Sequence, residues 1–318
     1  MSSVAELQLS STPQPESSWQ LFRLLSTGAL TPGKAWKNPA YRRKFMLRSL
    51  GTPRMTGKLL ESLTKQPHLM HILNVQPGLP CRLHRPWLST HMSPQQTIDA
   101  LCCHYQQMLD KLPDSIANHY LSTHGALLAT IEGKEGQRYS IYLGADAMLD
   151  KEGEATLTFR DENNIVLAEL TFTLCQYNGV STIFIGGLQG AKADVPHQLI
   201  QAATKACHGL FPKRLVVDAL LTLGELLSVK HVRAVSNETH IYRSLRYRRK
   251  KRDKLHADYN SFWESLSATV DSEGDYVLPL ALPRKTMEEI ASKKRAEYRR
   301  RYELLDALQQ QVASTIQV

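Results

Sequence analysis

Five short runs of β-forming residues lie close together between Gly125 and Gly187, and they constrain the fold more than any other feature of the chain. The runs are GALLATIEG, QRYSIYLG, GEATLTFRD, NIVLAELTFTLCQ and STIFIGG. They are rich in apolar and β-branched residues, and the turn-forming segments GKEGQ, DKEGE and RDENN separate them. Connections this short favour antiparallel neighbours. The sequence therefore predicts an antiparallel meander of five strands.

The chain after Gly190 predicts an alternation of helices and strands. The segments PHQLIQAATKACHGLF and RLVVDALLTLGELL have helical patterns, and the segments at 230–237 and 275–282 have strand composition. A strand, a long crossover and a second strand favour parallel pairing. We therefore expect an α/β (α+β) domain with a mixed sheet, in which ligands bind where parallel strands end or diverge.

The remaining segments predict helices on either side of this domain. Residues 1–17 are rich in Ser, Pro and Gln and are expected to be disordered. Residues 18–122 predict a helical region that contains a Pro-rich connector at 74–95. The α/β domain is expected over 123–283, and a charged helix over 284–318 closes the chain.

Composition narrows the class of protein. The chain has 318 residues, a hydrophobic content of 42% and a net charge of +9, so it can bury a core and present a cationic surface. It has no run of about 18 apolar residues and no secretory signal pattern at its start. Its five cysteines form no CxxC pair, which argues against zinc. These features predict a cytoplasmic protein without a transmembrane segment, and they leave peripheral contact with the inner membrane open.

The first candidate site is the segment IGGLQGAKAD, from Ile185 to Asp194. Its glycines lie between a predicted strand and a predicted helix, where a backbone can approach a ligand and free N–H groups can hold phosphate. The GK[ST] ending of a Walker loop is missing. A bulge or a tight turn without a ligand is the alternative interpretation.

The second candidate site follows the strand predicted at 230–237. The segment VRAVSNETHIYRSLRY leads from this strand through Asn237 into a short predicted helix that carries His240 and Tyr242. This arrangement resembles the GNAT acyltransferases, in which a strand ends in Asn and the next helix reads L-Y-x-x-x-G-F. Upstream, STIFIGGLQG resembles the GNAT strand and its pyrophosphate-binding loop. Gln189 matches the first position of the loop motif [QR]-x-x-G-x-[GA], whereas the fourth-position Gly is absent.

The GNAT resemblance covers roughly residues 125–282 and implies a GNAT-like fold with coenzyme A as the cofactor. Tyr242 would protonate the departing thiolate, because a tyrosine with a pKa near 10 keeps its proton at neutral pH. Asn237 would contact the pantetheine arm. The backbone N–H groups expected to face the pyrophosphate are those of Leu188, Gln189, Gly190, Ala191 and Lys192.

The sequence does not select the general base of such a reaction. His240 is a candidate because histidine titrates near neutral pH. A carboxylate could instead deprotonate an amine through water, and the candidates are Glu132, Glu154, Asp218, Glu225 and Glu238. Neither HxxxH nor HExxH occurs, so no metal is expected.

Nearly the whole chain resembles the VirK/YbjX family of enterobacterial proteins. The stretches that carry this resemblance are IFIGGLQGAK, LFPKRLVVDALLTLGELL, AVSNETHIYRS, ADYNSFWESL and KRAEYRRRYELLDAL. The family is linked to virulence and to envelope properties such as tolerance of antimicrobial peptides. Its biochemical activity is not established, so the resemblance implies a setting for the protein and not a mechanism.

Three functions fit the basic segment Ile241–Lys254, in which eight residues are Lys or Arg. As the rim of an acyltransferase pocket, it would attract coenzyme A, acyl carrier protein or aminoacyl-tRNA as the acyl donor. As a nucleic-acid surface, it would contact phosphates while Tyr242, Tyr247 and Tyr259 stack on bases. As an envelope-associated regulatory surface, it would contact anionic lipid. The buried character of AVSN just before the segment favours the pocket rim.

Overall fold

The computed structural model describes residues 14–247 and 258–317 and contains an eight-stranded mixed sheet. Along the sheet the strands lie in the order β1-β2-β3-β4-β5-β6-β8-β7, and only β5 and β6 pair in parallel. The strands are β1 Ala126–Glu132, β2 Arg138–Gly144, β3 Ala155–Asp161, β4 Val166–Tyr177, β5 Val180–Gly190, β6 His231–Ala234, β7 Thr269–Val270 and β8 Tyr276–Leu278. The predicted five-stranded meander and the mixed α/β sheet are thus confirmed.

The turns of the meander explain why its strands follow one another so closely. The longest hairpin, β4–β5, turns at Asn178 and Gly179, whose φ values of 49° and 79° are both positive. Positive φ at both central residues is what a type I′ turn requires, and this turn matches the natural twist of the two strands. Asn164 has a φ of 60° in the turn between β3 and β4. Local residue chemistry therefore sets the order of the first five strands.

The helices surround the sheet on both faces. They are α1 Ser18–Thr27, α2 Lys34–Lys37, α3 Pro39–Gly51, α4 Pro53–Thr64, α5 Leu69–Val75, α6 Pro94–Lys111, α7 Asp114–Tyr120, α8 His197–Ala206, α9 Pro212–Leu226, α10 Tyr259–Ser265 and α11 Arg295–Ile316, with 3₁₀ turns at Leu79–His84, Ile241–Arg243 and Ser292–Lys294. Helices α6 and α9 both pack on β4, where every residue from Thr171 to Cys175 is buried. The N-terminal helices and the sheet share one hydrophobic core.

Strands β6 and β8 end earlier than predicted, because local residues stop the backbone pairing. Strand β6 ends at Ala234 because Ser236 and Thr239 close a turn, with the Ser236 N–H donating to the Thr239 Oγ1 at 2.8 Å. Strand β8 ends at Leu278, directly before Pro279, which has no N–H to donate to a ladder. Both strands are therefore shorter than the segments at 230–237 and 275–282.

Both ends of the described chain also depart from the predictions. The C-terminal helix α11 begins at Arg295 instead of residue 284. The segment before α11 lies alongside this helix: Arg284 pairs with Asp306 at 2.6 Å, and the Tyr302 hydroxyl group donates to the Lys285 carbonyl oxygen at 2.9 Å. At the other end, the Gln14 amide donates to the carbonyl oxygens of Thr64 and Gln66. The rest of the stretch predicted to be disordered, 1–13, lies outside the described residues.

Candidate functional site

The loop between β2 and β3 brings Glu152 against two bare glycines of β5. Thr171 pairs with Gly187 and Phe172 with Ile185, so Gly186 is the extra residue of a β-bulge. A Cβ on Gly186 would lie 2.0 Å from the Glu152 carbonyl oxygen, and one on Gly187 would lie 1.9 Å from the Glu152 Oε2. Only glycine at both positions admits this loop. The close approach predicted for a ligand at IGG is thus made by Glu152.

Glu152 is a buried carboxylate, 1% exposed, at the centre of a polar cluster. The Gln189 side-chain amide donates to its Oε1 at 3.1 Å and to its Oε2 at 2.8 Å. The His240 Nε2 lies 3.6 Å from Oε1, and the Tyr242 side chain lies close enough for the charge of the carboxylate to raise its pKa. Buried charge is costly unless such partners compensate it, so Glu152 and these three side chains are held as a unit.

His240 lies beside Glu152 with its ring fixed on three sides. It is 1% exposed, and it precedes the 3₁₀ turn Ile241–Arg243 as its N-cap. Its Nδ1 accepts the Tyr242 N–H at 3.2 Å, so the neutral ring carries its proton on Nε2, which faces Glu152. The ring stacks on Tyr259 at a centroid distance of 5.2 Å and meets the Tyr242 ring edge-on at 4.8 Å.

Tyr242 is the half-buried member of this cluster. Burial, followed by the charge of Glu152, raises the pKa of Tyr242 to about 12. Its hydroxyl group therefore keeps its proton at neutral pH and can donate it. The short helix predicted to carry both His240 and Tyr242 is corrected to one 3₁₀ turn, in which His240 caps the turn through its side chain instead of lying within it.

The side chains of Asn237 and Glu238 make their hydrogen bonds with α10 and its N-cap residue. The Asn237 Oδ1 accepts the Tyr259 N–H at 2.9 Å, and its Nδ2 donates to the Asp258 Oδ1 at 3.1 Å. Glu238 is exposed, and its Oε2 accepts from the Asn260 Nδ2 at 3.3 Å. Asn237 thus fastens the start of α10. The carboxylate beside Tyr242 is Glu152, and Glu238 is not part of this cluster.

The five positions predicted to face a pyrophosphate do not form a loop of free N–H groups. Leu188, Gln189 and Gly190 are still in β5, paired with Leu170, Glu169 and Ala168 of β4.

The Leu188 N–H donates to the Tyr259 hydroxyl group at 3.2 Å, and the Gln189 side chain binds Glu152. Ala191 and Lys192 follow the strand, five residues or more before α8 begins at His197. The prediction is therefore corrected at Leu188, whose N–H already has a partner inside the protein.

The chain matches, over residues 34–314, the family described as "Protein of unknown function (DUF535)". This protein belongs to the DUF535 family. It is 52% identical over 298 residues to the "Uncharacterized protein YbjX" of Escherichia coli (strain K12), a match that covers 94% of this chain and 90% of that one. It is 32% identical over 167 residues to an "Uncharacterized protein" of Haemophilus influenzae, covering 49% and 51% of the two chains. The resemblance to the VirK/YbjX family is confirmed.

No solved structure matches the chain. The GNAT-like fold therefore stays a prediction from the sequence. Among the described residues, no group of three or more His, Cys, Asp or Glu could hold a metal ion, and no helix is long and apolar enough to cross a membrane.

A second buried polar cluster in this DUF535 protein holds the residues on either side of Glu152 in the β2–β3 loop. Arg82 and Glu154 are both 0% exposed, and the Arg82 Nε donates to the Glu154 Oε1 at 2.6 Å. The Arg82 Nη1 also donates to the Asp150 Oδ2 at 3.0 Å. The Tyr105 hydroxyl group donates to the Glu154 Oε2 at 2.6 Å. Asp150 and Glu154 thus anchor the loop on both sides of Glu152.

The two buried carboxylates suggested as bases by the sequence already have cationic partners. Glu154 is paired with Arg82, and the Asp218 Oδ2 lies 2.5 Å from the Arg214 Nε. Glu152 itself was missed, because DKEGE has the composition of a turn and its contacts with β5 and with Tyr242 join distant parts of the chain. Only the adjacent glycines of IGG gave a local sign of a close approach.

Proposed function

We propose that this DUF535 protein is an acyltransferase in which Tyr242 protonates the leaving group of an acyl donor. The observation that carries the proposal is the half-buried Tyr242 side chain beside the buried carboxylate of Glu152, whose charge helps to raise the pKa of Tyr242. With a pKa of about 12, Tyr242 is protonated at neutral pH, as a proton donor must be.

The position of this pair in the sheet supports a role in binding. Strands β5 and β6 are parallel up to the pair Ile185 and Ala234, and the Val235 N–H makes the next bond, to the Ile185 carbonyl oxygen at 3.0 Å. Beyond that point β5 continues to Gly190 while the other chain turns away at Ser236. Crevices where parallel strands diverge are the usual ligand sites of open α/β sheets.

The proposed step moves one proton through Tyr242. An acceptor amine attacks the carbonyl carbon of an acyl thioester, a C–N bond forms and the C–S bond breaks. Tyr242 gives its proton to the departing thiolate, and the resulting tyrosinate takes back the proton that the amine loses. The products are an amide and a thiol, so atoms and charges balance. Glu152 lies deeper in the protein than Tyr242, because Glu152 is buried and Tyr242 is half-buried. Glu152 would therefore position the hydroxyl group of Tyr242 from the interior side.

The donor class follows from the GNAT resemblance and from the positive charge of the chain. Coenzyme A thioesters are the first choice, and acyl carrier protein and aminoacyl-tRNA are donors that also bring phosphate to a basic protein. The acceptor would be an amine of a protein, of a peptide or of an envelope-linked molecule. The virulence setting of the VirK/YbjX family supports the last of these.

Loss of thioester absorbance tests the proposal directly. The purified chain is mixed with acetyl- and long-chain acyl-coenzyme A and a panel of amine acceptors. Tyr242→Phe should lower kcat by roughly 100-fold or more and cost about 1 kcal/mol of stability. Tyr298→Phe, on α11, should keep the wild-type rate. A wild-type rate in Tyr242→Phe would refute the mechanism, and no reaction of the wild type with any donor would refute the acyltransferase.

A non-catalytic function is the alternative, because Arg243 and Arg246 are exposed on the described part of the basic segment. Its remaining charged residues, 248–254, lie outside the described residues. In this alternative the protein binds nucleic acid or an anionic envelope surface, and affinity falls steeply with salt. Binding of tRNA or DNA without any thioester loss would favour it over the acyltransferase.

A further inference from the structure

A small cationic pocket lies beside Tyr242, between α3, the 3₁₀ turn Leu79–His84 and the segment Arg246–Tyr247. Its volume is about 170 Å³. This is several times the roughly 30 Å³ that a water molecule occupies in the liquid. It is also less than the roughly 300–1,000 Å³ of pockets that enclose whole ligands. The pocket therefore has room for one small group of a larger molecule. The residues that determine its chemistry are Lys44, Arg48, His84, Arg85, Arg246 and Tyr247.

Among the described residues, four cationic side chains line this pocket, and one of them has an acidic partner. Lys44 and Arg48 are one turn apart on α3, so their like charges face the same side of the helix and repel each other. Arg85 pairs with Asp150. Within the part of the chain that the structure describes, Lys44, Arg48 and Arg246 have no ion pair. An anion in the pocket would relieve this repulsion.

Polar atoms that line the pocket are left without partners among the described residues. Both ring nitrogens of His84 and the Nε of Arg85 are buried and make no hydrogen bond. Buried polar atoms are nearly always hydrogen-bonded, so unpaired ones at a pocket wall point to a missing partner. Burial, then the charges of Arg48 and Arg246, lowers the pKa of His84 to about 4. The neutral ring has one N–H to donate, and an anion would accept it.

We propose that this pocket binds a phosphate group of a phosphorylated ligand. Guanidinium groups and a lysine are the side chains that recognise phosphate, through charge and through paired N–H donors. The Tyr247 ring lines the pocket and meets the Tyr242 ring at a centroid distance of 6.2 Å. A phosphate held here would therefore be separated from Tyr242 by the ring of Tyr247.

This assignment deepens the proposed function and rests on it only for the identity of the ligand. As part of an acyl donor, the phosphate would be held by α3 and Arg246, and not by the N–H groups from Leu188 to Lys192 that the GNAT resemblance implies. The same chemistry would also suit the headgroup of an anionic lipid. The phosphate group is common to both ligands, and binding measurements can separate them.

Calorimetric titration of the full chain with pyrophosphate tests the pocket without any acyl transfer. Saturable binding is expected for the wild type. Arg48→Gln and, separately, Lys44→Gln should weaken it roughly 10- to 100-fold, the loss expected for one charge-assisted contact. Arg43→Gln removes an exposed charge from the same helix but lies outside the pocket, so it should bind as the wild type does.

Two further probes identify the source of the phosphate. Coenzyme A binding that Arg48→Gln weakens would support a soluble donor. Binding to phosphatidic acid vesicles but not to phosphatidylcholine vesicles, again weakened by Arg48→Gln, would support a lipid headgroup. No binding of any probe would overturn the proposal. An equal loss in Arg43→Gln and Arg48→Gln would also overturn it, because the attraction would then be diffuse. Normal phosphate binding without thioester loss would contradict only the acyltransferase.

Discussion

At the scale of single residues, the site depends on two glycines that leave space for a carboxylate. Gly186 and Gly187 have no side chains, and the backbone and side chain of Glu152 occupy the volume that a Cβ would need. This contact brings Glu152 to the Tyr242 hydroxyl group and to the Gln189 amide. The pKa of Tyr242 therefore depends on its burial and, in second place, on a residue ninety positions earlier in the chain.

Adding one methyl group at Gly187 should disturb this arrangement. Gly187→Ala places a Cβ 1.9 Å from the Glu152 Oε2, so the carboxylate must move. Overpacking of this kind costs about 1–3 kcal/mol. Gly57→Ala is the matched control, since nothing lies within 4 Å of its Cβ and alanine favours the interior of α4, so stability should rise by about 0.5–1 kcal/mol. Urea unfolding measures both. Equal stability of the two variants would mean that Glu152 does not lie against Gly187.

At the scale of elements, α10 is held at the site by its first residues. Its N-cap, Asp258, accepts the Ser261 N–H, and Asn237 joins the helix start to the end of β6. Tyr259 then packs its ring on His240 and accepts the Leu188 N–H. The helix therefore contacts β5 and the residue after β6 at the point where these two strands diverge.

Removing the Asn237 side chain should loosen this helix. Asn237→Ala leaves the Tyr259 N–H without its acceptor, and an unpaired, partly buried donor costs about 1–3 kcal/mol. Ser265→Ala, at the exposed end of the same helix, should stay within about 0.5 kcal/mol of the wild type. Thermal unfolding of the two variants makes the comparison. If Asn237→Ala proves as stable as Ser265→Ala, the side chain of Asn237 is free for a ligand such as pantetheine.

The elements also show what the sequence could and could not predict. The meander was predictable because its strands and turns depend on residues close together in the chain, such as Asn178 and Gly179. The ends of β6 and β8 were placed too far along, since the Ser236 turn and Pro279 stop the pairing. His240 and Tyr242 were predicted as neighbours, and they meet. Their partner Glu152 could not be predicted, because it reaches them only through the folded sheet.

At the scale of the whole molecule, a buried histidine joins the N-terminal helices to the sheet. His104 of α6 is 0% exposed, and its Nδ1 accepts the Leu174 N–H of β4 at 3.0 Å. Its Nε2 lies 2.8 Å from the Tyr120 hydroxyl group of α7. The ring is therefore neutral, with one nitrogen accepting from the sheet and the other bound to a neighbouring helix. Protonation would put a charge in the shared core and break the bond to β4.

Acid should therefore weaken the whole fold through His104. Burial lowers the pKa of His104 from 6.5 to about 3, so below pH 6.5 the unfolded chain binds a proton that the folded chain does not. Stability from this group is complete above pH 6.5 and falls as the pH drops towards 3. Between pH 7 and pH 5 the loss is about 2 kcal/mol, near 1.4 kcal/mol for each pH unit between the two pKa values.

Two variants separate this titration from the hydrogen bonds of the ring. His104→Gln cannot titrate, so its unfolding free energy should change by about 2 kcal/mol less between pH 7 and pH 5 than that of the wild type. Tyr120→Phe removes a hydrogen bond but keeps the ring, and it should be less stable at both pH values while retaining most of the pH dependence. Urea unfolding at pH 7 and pH 5 gives the difference in unfolding free energy between each variant and the wild type at each pH. If His104→Gln loses as much stability in acid as the wild type, the pH sensitivity of the fold arises at other groups. The hydrogen bond between His104 of α6 and Leu174 of β4 would then not be the contact that acid weakens.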